Sequence, residues 1–403
     1  MNICIVNTFF PPHISGTARA AFLLSKELSR RGHRVIVVTS RLANTSQIEK
    51  ANGMTIHRLE CLKYPRLDIL HRADLYYSFL PKNLDAMLNI LRTHKTDVVQ
   101  VYGQFYDLTF MATAACKMLG IPSALAIGTR MEHPESFYNS LFQLYDKTMV
   151  RYLVARRVNR LIALDKLMRD YMADRYDVDR RLIRFIPVGV DVERFEKCDG
   201  RAVRMKYGID DGDPVFFSLG TVSNMRNPLS LVKAIPSVLR EFPSLKILFT
   251  GALYNQEAMR LVERLRLTNA VTFCGEVEYN MVPEYLGACD IEGHDLDTGM
   301  AISLASLEAM AAGKPVLSSA KEDHFIDIRL ENWKNIVLVR PGNVEDISRA
   351  MIRLLSNVKL REAIGQNARK LLREHFSLDR MCDKYEDLYS EIVEQRRTGY
   401  AES

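Results

Sequence analysis

The run SLASLEAMAAGKPVLSS, Ser303 to Ser319, holds one carboxylate, Glu308, among small and apolar residues. Ser303 is of the type that caps a helix start and Gly313 of the type that ends one, which puts Glu308 within two turns of the N-terminus. Ala305, Ser306, Ala309, Ala311 and Ala312 leave room for close packing or for close approach of a ligand. A carboxylate so placed can accept two hydrogen bonds from the vicinal hydroxyls of a ribose. A surface glutamate with ordinary helix propensity is the competing reading. In FSLGTVSNMRNP the strand Phe216–Leu219 ends at Gly220, and a polar loop carrying Arg226 leads to a helix capped near Asn227 and Pro228. A guanidinium beside a helix N-terminus suits a diphosphate, through charge-assisted hydrogen bonds; a solvated loop arginine is the alternative. In FFPPHISGTA, Gly16 stands between the first strand and the first helix. A residue without Cβ there lets the backbone approach a phosphate at the helix start, or simply makes a turn.

Such groups need a scaffold that gathers strand ends and helix starts, and the hydrophobic pattern supplies one. ICIVNTF reads as a buried strand, ARAAFLLSKELSRRGH as an amphipathic helix ending at Arg30, Arg31 and Gly32, and RVIVVTSR as the next strand. TDVVQVYG, LTFMATAACKMLG and IPSALAIGT continue as strand, helix and strand, followed by a long helical region from about Ser136 to Arg156 and the strand NRLIALD. RFIPVGVDVERF is a Pro/Gly-punctuated crossing, after which the pattern restarts. PVFFSLG, LKILFTGA, AVTFCGEV, KPVLSS and NIVLVRPG read as strands, with the helices PLSLVKAIPSVLREF, QEAMRLVERLRL and MVPEYLGAC between them and three helices after. Short apolar strands alternating with amphipathic helices predict parallel, doubly wound α/β sheets, here two Rossmann-like domains joined near residue 190. Ligands of such sheets bind beyond the carboxyl ends of the strands, so the expected site is the cleft between the two domains.

A chain of 403 residues, 47% hydrophobic and 26% charged, can fill two cores. Its seven cysteines are odd in number and lack metal-ligand spacing, which implies free thiols in a reducing, cytosolic setting. The start MNICIVNTFFPPH has no cationic leader, and no apolar stretch reaches the roughly 20 residues that span a bilayer. The net charge of +6 is unevenly spread: residues 1–190 carry 27 Lys and Arg against 16 Asp and Glu, and the remainder 28 against 33. The basic half suits an anionic partner such as a membrane surface, a phosphorylated lipid or an acidic glycan. No nucleic-acid-binding motif accompanies it, so nucleic acid is not expected; solvated surface charge is the plain alternative. Candidate membrane-facing segments are KYPRLDILHR and MVRYLVARRVNR. In the second, Met149, Tyr152, Leu153 and Val158 are interspersed with Arg151, Arg156, Arg157 and Arg160, a pattern that an amphipathic core helix also explains.

Together FFPPHISGTARAAFLLSKELSRRGHRVIVVTSR, FIPVGVDVERF, LEAMAAGKPVL, VRPGN and LREHFS resemble the retaining glycosyltransferases of the family 4 type (glycosyl transferases group 1), over nearly the whole chain and in order. The resemblance implies a GT-B fold. An acceptor-binding Rossmann-like domain would span 1–190, with a C-terminal helix at about 378–400 crossing back onto it. A domain for the nucleotide-diphosphate sugar would span 191–377. It implies a hexosyltransferase-like enzyme acting without metal or other cofactor on a lipid-linked or glycan acceptor. The product would be a cell-surface polysaccharide, glycolipid or glycan, made in the cytoplasm or peripherally on the inner face of the membrane. By the same resemblance Glu308 would hold the ribose, with Ser303 and Leu304 at its helix start. Arg226 would contact the diphosphate alongside Gly220 and Thr221, with Gly16 facing it from the other domain. Gly275 and Val277 would lie beside the base.

Three positions depart from the family's habit. The glutamate usual eight residues before the ribose carboxylate is Met300 here, with Asp297 and Asp295 the nearest upstream carboxylates. Either one takes over the donor-sugar contact or that contact is lost. The arginine usual after the strand glycine is Thr221. The histidine usual after the GIP… strand is Gly128, with Arg130 and His133 following, so His133 is the candidate to reach the site from that loop. Transfer would proceed with Arg226 and helix N-termini stabilising the leaving diphosphate, the acceptor attacking from the same face and passing its proton to the leaving oxygen. Domain closure would exclude water. Alternatives are a sugar-nucleotide epimerase of the same fold, for which no carboxylate–histidine cluster is visible, and a non-catalytic partner subunit.

Overall fold

The computed structural model describes residues 1–13, 15–64, 76–133, 135–223, 226–299 and 302–399. The chain divides into two compact units, Met1–Gly189 with Leu378–Ser403, and Val190–Ser377.

In the first unit the strands are β1 (Asn2–Val6), β2 (Arg34–Ser40), β3 (Ile48–Ala51), β4 (Met54–Leu59), β5 (Leu62–Lys63), β6 (Tyr76–Tyr77), β7 (Val98–Tyr102), β8 (Ser123–Ile127), β9 (Arg160–Ala163) and β10 (Ile183–Phe185). The helices are α1 (Gly16–Arg30), α2 (Pro81–Thr93), α3 (Asp107–Leu119), α4 (Ser136–Tyr145), which runs into a π-helical stretch Asp146–Ala155, and α5 (Lys166–Tyr176). Eight strands form one sheet in the order β10-β9-β8-β7-β1-β2-β4-β3, parallel except for β3 against β4, and β5 and β6 pair separately. Strand β1 shows why the sheet is covered on both faces. Ile3 and Ile5 enter a core with Leu24 and Leu28 of α1 and with Tyr385 and Tyr389 of the C-terminal helix. Cys4 and Val6 point the other way, into a core with Met87, Met111 and Met172 of α2, α3 and α5. Arg31, just past α1, ties the C-terminal helix Leu378–Gly399 to this unit, donating to Asp383 (2.8 Å), Glu386 (2.5 Å) and Asp379 (3.1 Å).

The second unit contains α6 (Arg201–Lys206), β11 (Val215–Leu219), α7 (Leu229–Glu241), β12 (Lys246–Thr250), α8 (Glu257–Arg264), β13 (Val271–Gly275), α9 (Val282–Ala288), β14 (Ile291–Gly293), α10 (Leu304–Ala311), β15 (Val316–Ser318), β16 (Val337–Leu338), α11 (Val344–Ser356) and α12 (Val358–His375). Its sheet is all parallel, in the order β13-β12-β11-β14-β15-β16. Both sheets reverse their winding once, between β1 and β7 in the first unit and between β11 and β14 in the second. Connections leave such neighbouring strands in opposite directions and open a crevice at their carboxyl ends, where ligands bind.

Candidate active site

In the second unit the crevice lies where β11 runs into Gly220 and β14 into His294. The imidazole of His294 lies against Gly220 so closely that a Cβ on the glycine would stand 2.1 Å from its Cε1. Only glycine leaves space for that ring. Gly220 N–H donates to the Thr250 carbonyl (3.0 Å), so strand pairing fixes it. Thr221 and Val222 follow, and the Ser223 and Arg226 backbones bond each other in both directions at 3.2 Å, closing the loop that carries the exposed Arg226. Asn227 does not cap the next helix with its side chain, as the sequence suggested. Its amide donates to Glu257 at 2.8 Å, and Pro228 is the capping residue.

Helix α10 starts as read. Ser303 Oγ accepts from Ser306 N–H at 3.1 Å, and Leu304 is the first helical residue. Glu308 is 4% exposed, which removes the surface-glutamate alternative. The helix ends at Ala311, and Gly313 follows in the left-handed region (φ +71°). Its end is capped by a side chain the sequence did not signal: Arg369 of α12 donates to the Ala311 and Ala312 carbonyls at 2.9 and 2.6 Å.

Asp297 accepts from the Ser230 hydroxyl at the start of α7, and its second oxygen is buried without a partner. Asp295, in the left-handed region (φ +57°), accepts from Thr298 at 2.8 Å. Burial raises the Asp295 carboxyl, against the Thr298 bond and the nearby Arg226 charge. Burial also lowers His294, to about 3, with Arg226 adding to the effect, so the ring is neutral at physiological pH. Gly220, Arg226, His294, Asp295 and Asp297 therefore share one electrostatic neighbourhood. Gly275 ends β13 at φ +73° with open space above it, and Val277 is half-buried in the loop beyond.

The sequence reading missed Glu292 and His294. Glu292 is fully buried in β14, beside the Ser306 hydroxyl and the Leu219 backbone, yet neither oxygen has a hydrogen-bond partner of normal geometry. Burial raises its carboxyl to about 8, so it holds a proton at neutral pH. The only signal was in CDIEGHD, a charge between an isoleucine and a glycine, and three residues do not show a period.

Two of the proposed site residues belong to the first unit. Gly16 opens α1 behind the N-cap Ser15, and a Cβ there would meet nothing within 4 Å, so neither packing nor a turn demands glycine. His133 is not on the loop surface. It is buried, its ring edges meet Tyr138 and Phe142 at 5.2 and 5.8 Å, and its Nδ1 accepts from Glu135 N–H at 3.0 Å. There His133 anchors the start of α4. Gly128 is exposed at the end of β8. Met300 and residues 65–72 of KYPRLDILHR lie outside the described residues. In MVRYLVARRVNR, Met149 and Tyr152 are half or more exposed and Leu153 is half-buried, so the segment is only in part a core helix. The seven cysteines are unpaired, and no helix among the described residues is long and apolar enough to cross a membrane.

Two parallel α/β units, each with one switch-point crevice, have the architecture of the GT-B transferases. Residues 200–371 match the family glycosyl transferases group 1, and residues 14–194 match glycosyltransferase family 4. The chain belongs to the group 1 glycosyltransferases and has their GT-B fold. It is 22% identical to an uncharacterised glycosyltransferase of Methanocaldococcus jannaschii, over 98% of this chain and 99% of that one. It is 24% identical to the alpha-monoglucosyldiacylglycerol synthase of Streptococcus pneumoniae, over 77% and 69%. Among solved structures, the Anabaena protein HepE in complex with UDP and glucose superposes with a TM-score of 0.75 at 16% identity, covering 97% of this chain and all of that one.

Proposed function

We propose that this glycosyltransferase moves a hexosyl group from a nucleoside-diphosphate sugar to an acceptor hydroxyl with retention of anomeric configuration and without a metal. The carrying observation is that Glu308 is buried on the capped helix that follows β14, the neighbour of β11, whose following loop carries Arg226. In this reading Glu308 accepts from the ribose hydroxyls. Arg226 and the backbone N–H groups at the starts of α7 and α10 meet the diphosphate. The charge that grows on the leaving phosphate oxygen is met by groups already in place. The acceptor hydroxyl attacks from the face the leaving group departs, and its proton goes to the departing oxygen, so no protein nucleophile is needed. The complex of the Anabaena relative with UDP and glucose supports a sugar-nucleotide donor.

A panel of UDP-, GDP- and ADP-sugars, followed by titration calorimetry and NMR of the product anomer, tests this. One donor should bind and be transferred with retention in the presence of EDTA. Glu308→Gln should weaken binding of the corresponding nucleoside diphosphate by about tenfold or more, the scale of one lost charged hydrogen bond. Interconversion of a free sugar nucleotide would instead identify an epimerase.

The same reading places the enzyme in the cytoplasm, at an anionic membrane face, with a lipid-linked or glycan acceptor. Phe137, Leu141 and Leu144 of α4, with Met149 and Tyr152 after it, are each half or more exposed, and Lys147, Arg156 and Arg157 are exposed among them. An apolar stripe with flanking cations suits the interface of an anionic bilayer, as the name of the pneumococcal relative suits a lipid product. Flotation with phosphatidylglycerol vesicles should recover the protein at low salt, and Leu141→Glu with Leu144→Glu should abolish recovery.

A further inference from the structure

The loop from β1 to α1 leaves a switch-point strand of the first unit's sheet, and loops of that kind are the ones that meet ligands. Its sequence does little to fix its own shape. Pro11 and Pro12 follow each other and neither has an N–H to give, while His13 N–H donates to the Phe10 carbonyl at 3.1 Å. Side chains of two other strands take hold of the loop's carbonyls. Thr39 Oγ1 of β2 donates to the Thr8 carbonyl at 3.1 Å. Arg58 Nη2 of β4 donates to the Pro11 carbonyl at 3.0 Å. Thr39 and Arg58 are register partners, so the two grips lie side by side on the sheet. Arg58 is only 3% exposed, and its Nη1 donates to Glu49 of the edge strand β3 at 2.7 Å. The Glu49 side chain is itself 44% exposed.

A buried guanidinium is a costly way to fill a strand position. It loses its water, and an apolar side chain of similar length would serve the sheet as well or better. Glu49 is open to solvent and does not require a buried partner. What an apolar residue could not supply is the donor to the Pro11 carbonyl. That bond pins the loop upstream of Ser15, which caps α1 by accepting from Ala18 N–H at 3.2 Å and sets Gly16 at the helix start. A displacement of about 1 Å at a reacting centre costs on the order of a hundredfold in rate, so a loosely held loop is costly even where the fold survives. We propose that Arg58 is a positioning residue for the transfer reaction. It touches no substrate, and it holds the β1–α1 loop in the shape that presents Gly16 and the first N–H groups of α1 to the donor's diphosphate. This rests on the transferase reading above, with Gly16 at the diphosphate, and adds a residue that acts from the second strand along the sheet.

The test uses the full chain and the sugar nucleotide that the donor panel selects. Arg58→Met fills much the same space without a donor, Arg58→Lys keeps one, and Glu49→Gln removes the ion pair while leaving the Pro11 bond. Arg58→Met should melt at the wild-type temperature or higher, while kcat/KM for the donor and calorimetric affinity for its nucleoside diphosphate each fall about tenfold. Arg58→Lys should recover about threefold of that loss, and Glu49→Gln should stay within about twofold of wild type. In a Gly16→Ala background, Arg58→Met should cost less than about threefold more, because both act through one loop. Without any donor, amide exchange over residues 15–20 should quicken in Arg58→Met and not in Glu49→Gln. Unchanged kinetics and exchange in Arg58→Met would overturn the proposal. So would a loss that Glu49→Gln reproduces, a loss that tracks melting temperature across the three variants, or full additivity with Gly16→Ala. If the wild-type chain binds a sugar nucleotide and Arg58→Met binds it as tightly, this inference fails alone. If the wild type binds none, the transferase reading fails, and the exchange rates still decide whether Arg58 holds the loop.

Discussion

Glu292→Gln should make the second unit more stable, and increasingly so as the pH rises. The wild-type carboxyl is fully buried, with only the Ser306 hydroxyl and the Leu219 backbone beside it to offset that burial, and its titration is pushed from the ordinary value near 4.5 to about 8. Below about pH 4.5 the folded and unfolded chains both hold the proton and the shift costs nothing. Between 4.5 and 8 the unfolded chain ionises while the folded chain stays protonated. The folded state then binds more protons than the unfolded one, and stability falls with pH by about 1.4 kcal/mol per unit. The loss is complete once the pH passes about 8, where it amounts to roughly 4–5 kcal/mol. Glutamine has nearly the same shape and does not titrate, so it removes the slope. Trp333, the chain's single tryptophan, lies in this unit with the Arg353 guanidinium 4.0 Å from its ring, and reports its unfolding. Urea titrations followed by Trp333 fluorescence from pH 5.5 to 9 should give a variant-minus-wild-type difference that climbs by about 1 kcal/mol or more per pH unit and levels off above pH 8. A difference that stays flat across that range would refute the reasoning, because it would mean that Glu292 ionises in the folded chain as it does in water.

Three other substitutions test separate parts of the fold and site. Gly16→Ala meets open space, so thermal stability should hold while kcat/KM for the donor falls at least tenfold; unchanged kinetics would reduce Gly16 to a helix-start residue. Gly220→Ala forces its Cβ against the His294 ring and should cost about 1–3 kcal/mol in denaturant unfolding, most of it recovered when His294→Ala is added. Arg31→Ala takes a shared ion-pair partner from Asp379, Asp383 and Glu386, while Arg30 stays with Glu27 and Asp379 and His33 stays with Glu386; amide exchange over residues 378–399 should quicken by a factor corresponding to about 1 kcal/mol.

The sequence showed the fold class because long apolar strands advertise themselves. ICIV and VVQVY are buried on both faces, and each precedes a helix with a clear apolar stripe. Elements that break this pattern were passed over. The β3–β4 pair carries exposed polar residues on an edge strand. Helix α5 has its N-cap, Asp165, but a highly charged sequence. Strand β14 is three residues long and holds a glutamate and a glycine. Its omission mattered most, because β14 sits beside β11 and marks the switch point. Without it the second sheet had no visible reversal, and His294 and Glu292 had no address.

What was legible of the candidate site depended on how locally each residue's environment is set. Ser303 and Gly313 act on their own backbone, so their types disclosed the helix bounds, and a carboxylate among alanines was conspicuous before its burial was known. Asp297 drew attention only through spacing, and its partner proved to be Ser230, 67 residues away in the chain. His133 is a loop residue whose burial stayed hidden, because nothing near it in sequence reveals that Tyr138 and Phe142, one turn apart on α4, close over it. Asn7 and Thr8 after β1 and Gln104 after β7 are less legible still: each is buried with a side-chain atom that has no hydrogen-bond partner. A missing hydrogen bond is a property of everything that surrounds a group, and the ends of β1 and β7, at Val6 and Tyr102, are far apart in the chain. Sequence types disclose the groups that satisfy themselves locally. The groups that a fold leaves unsatisfied appear only when the strands are side by side.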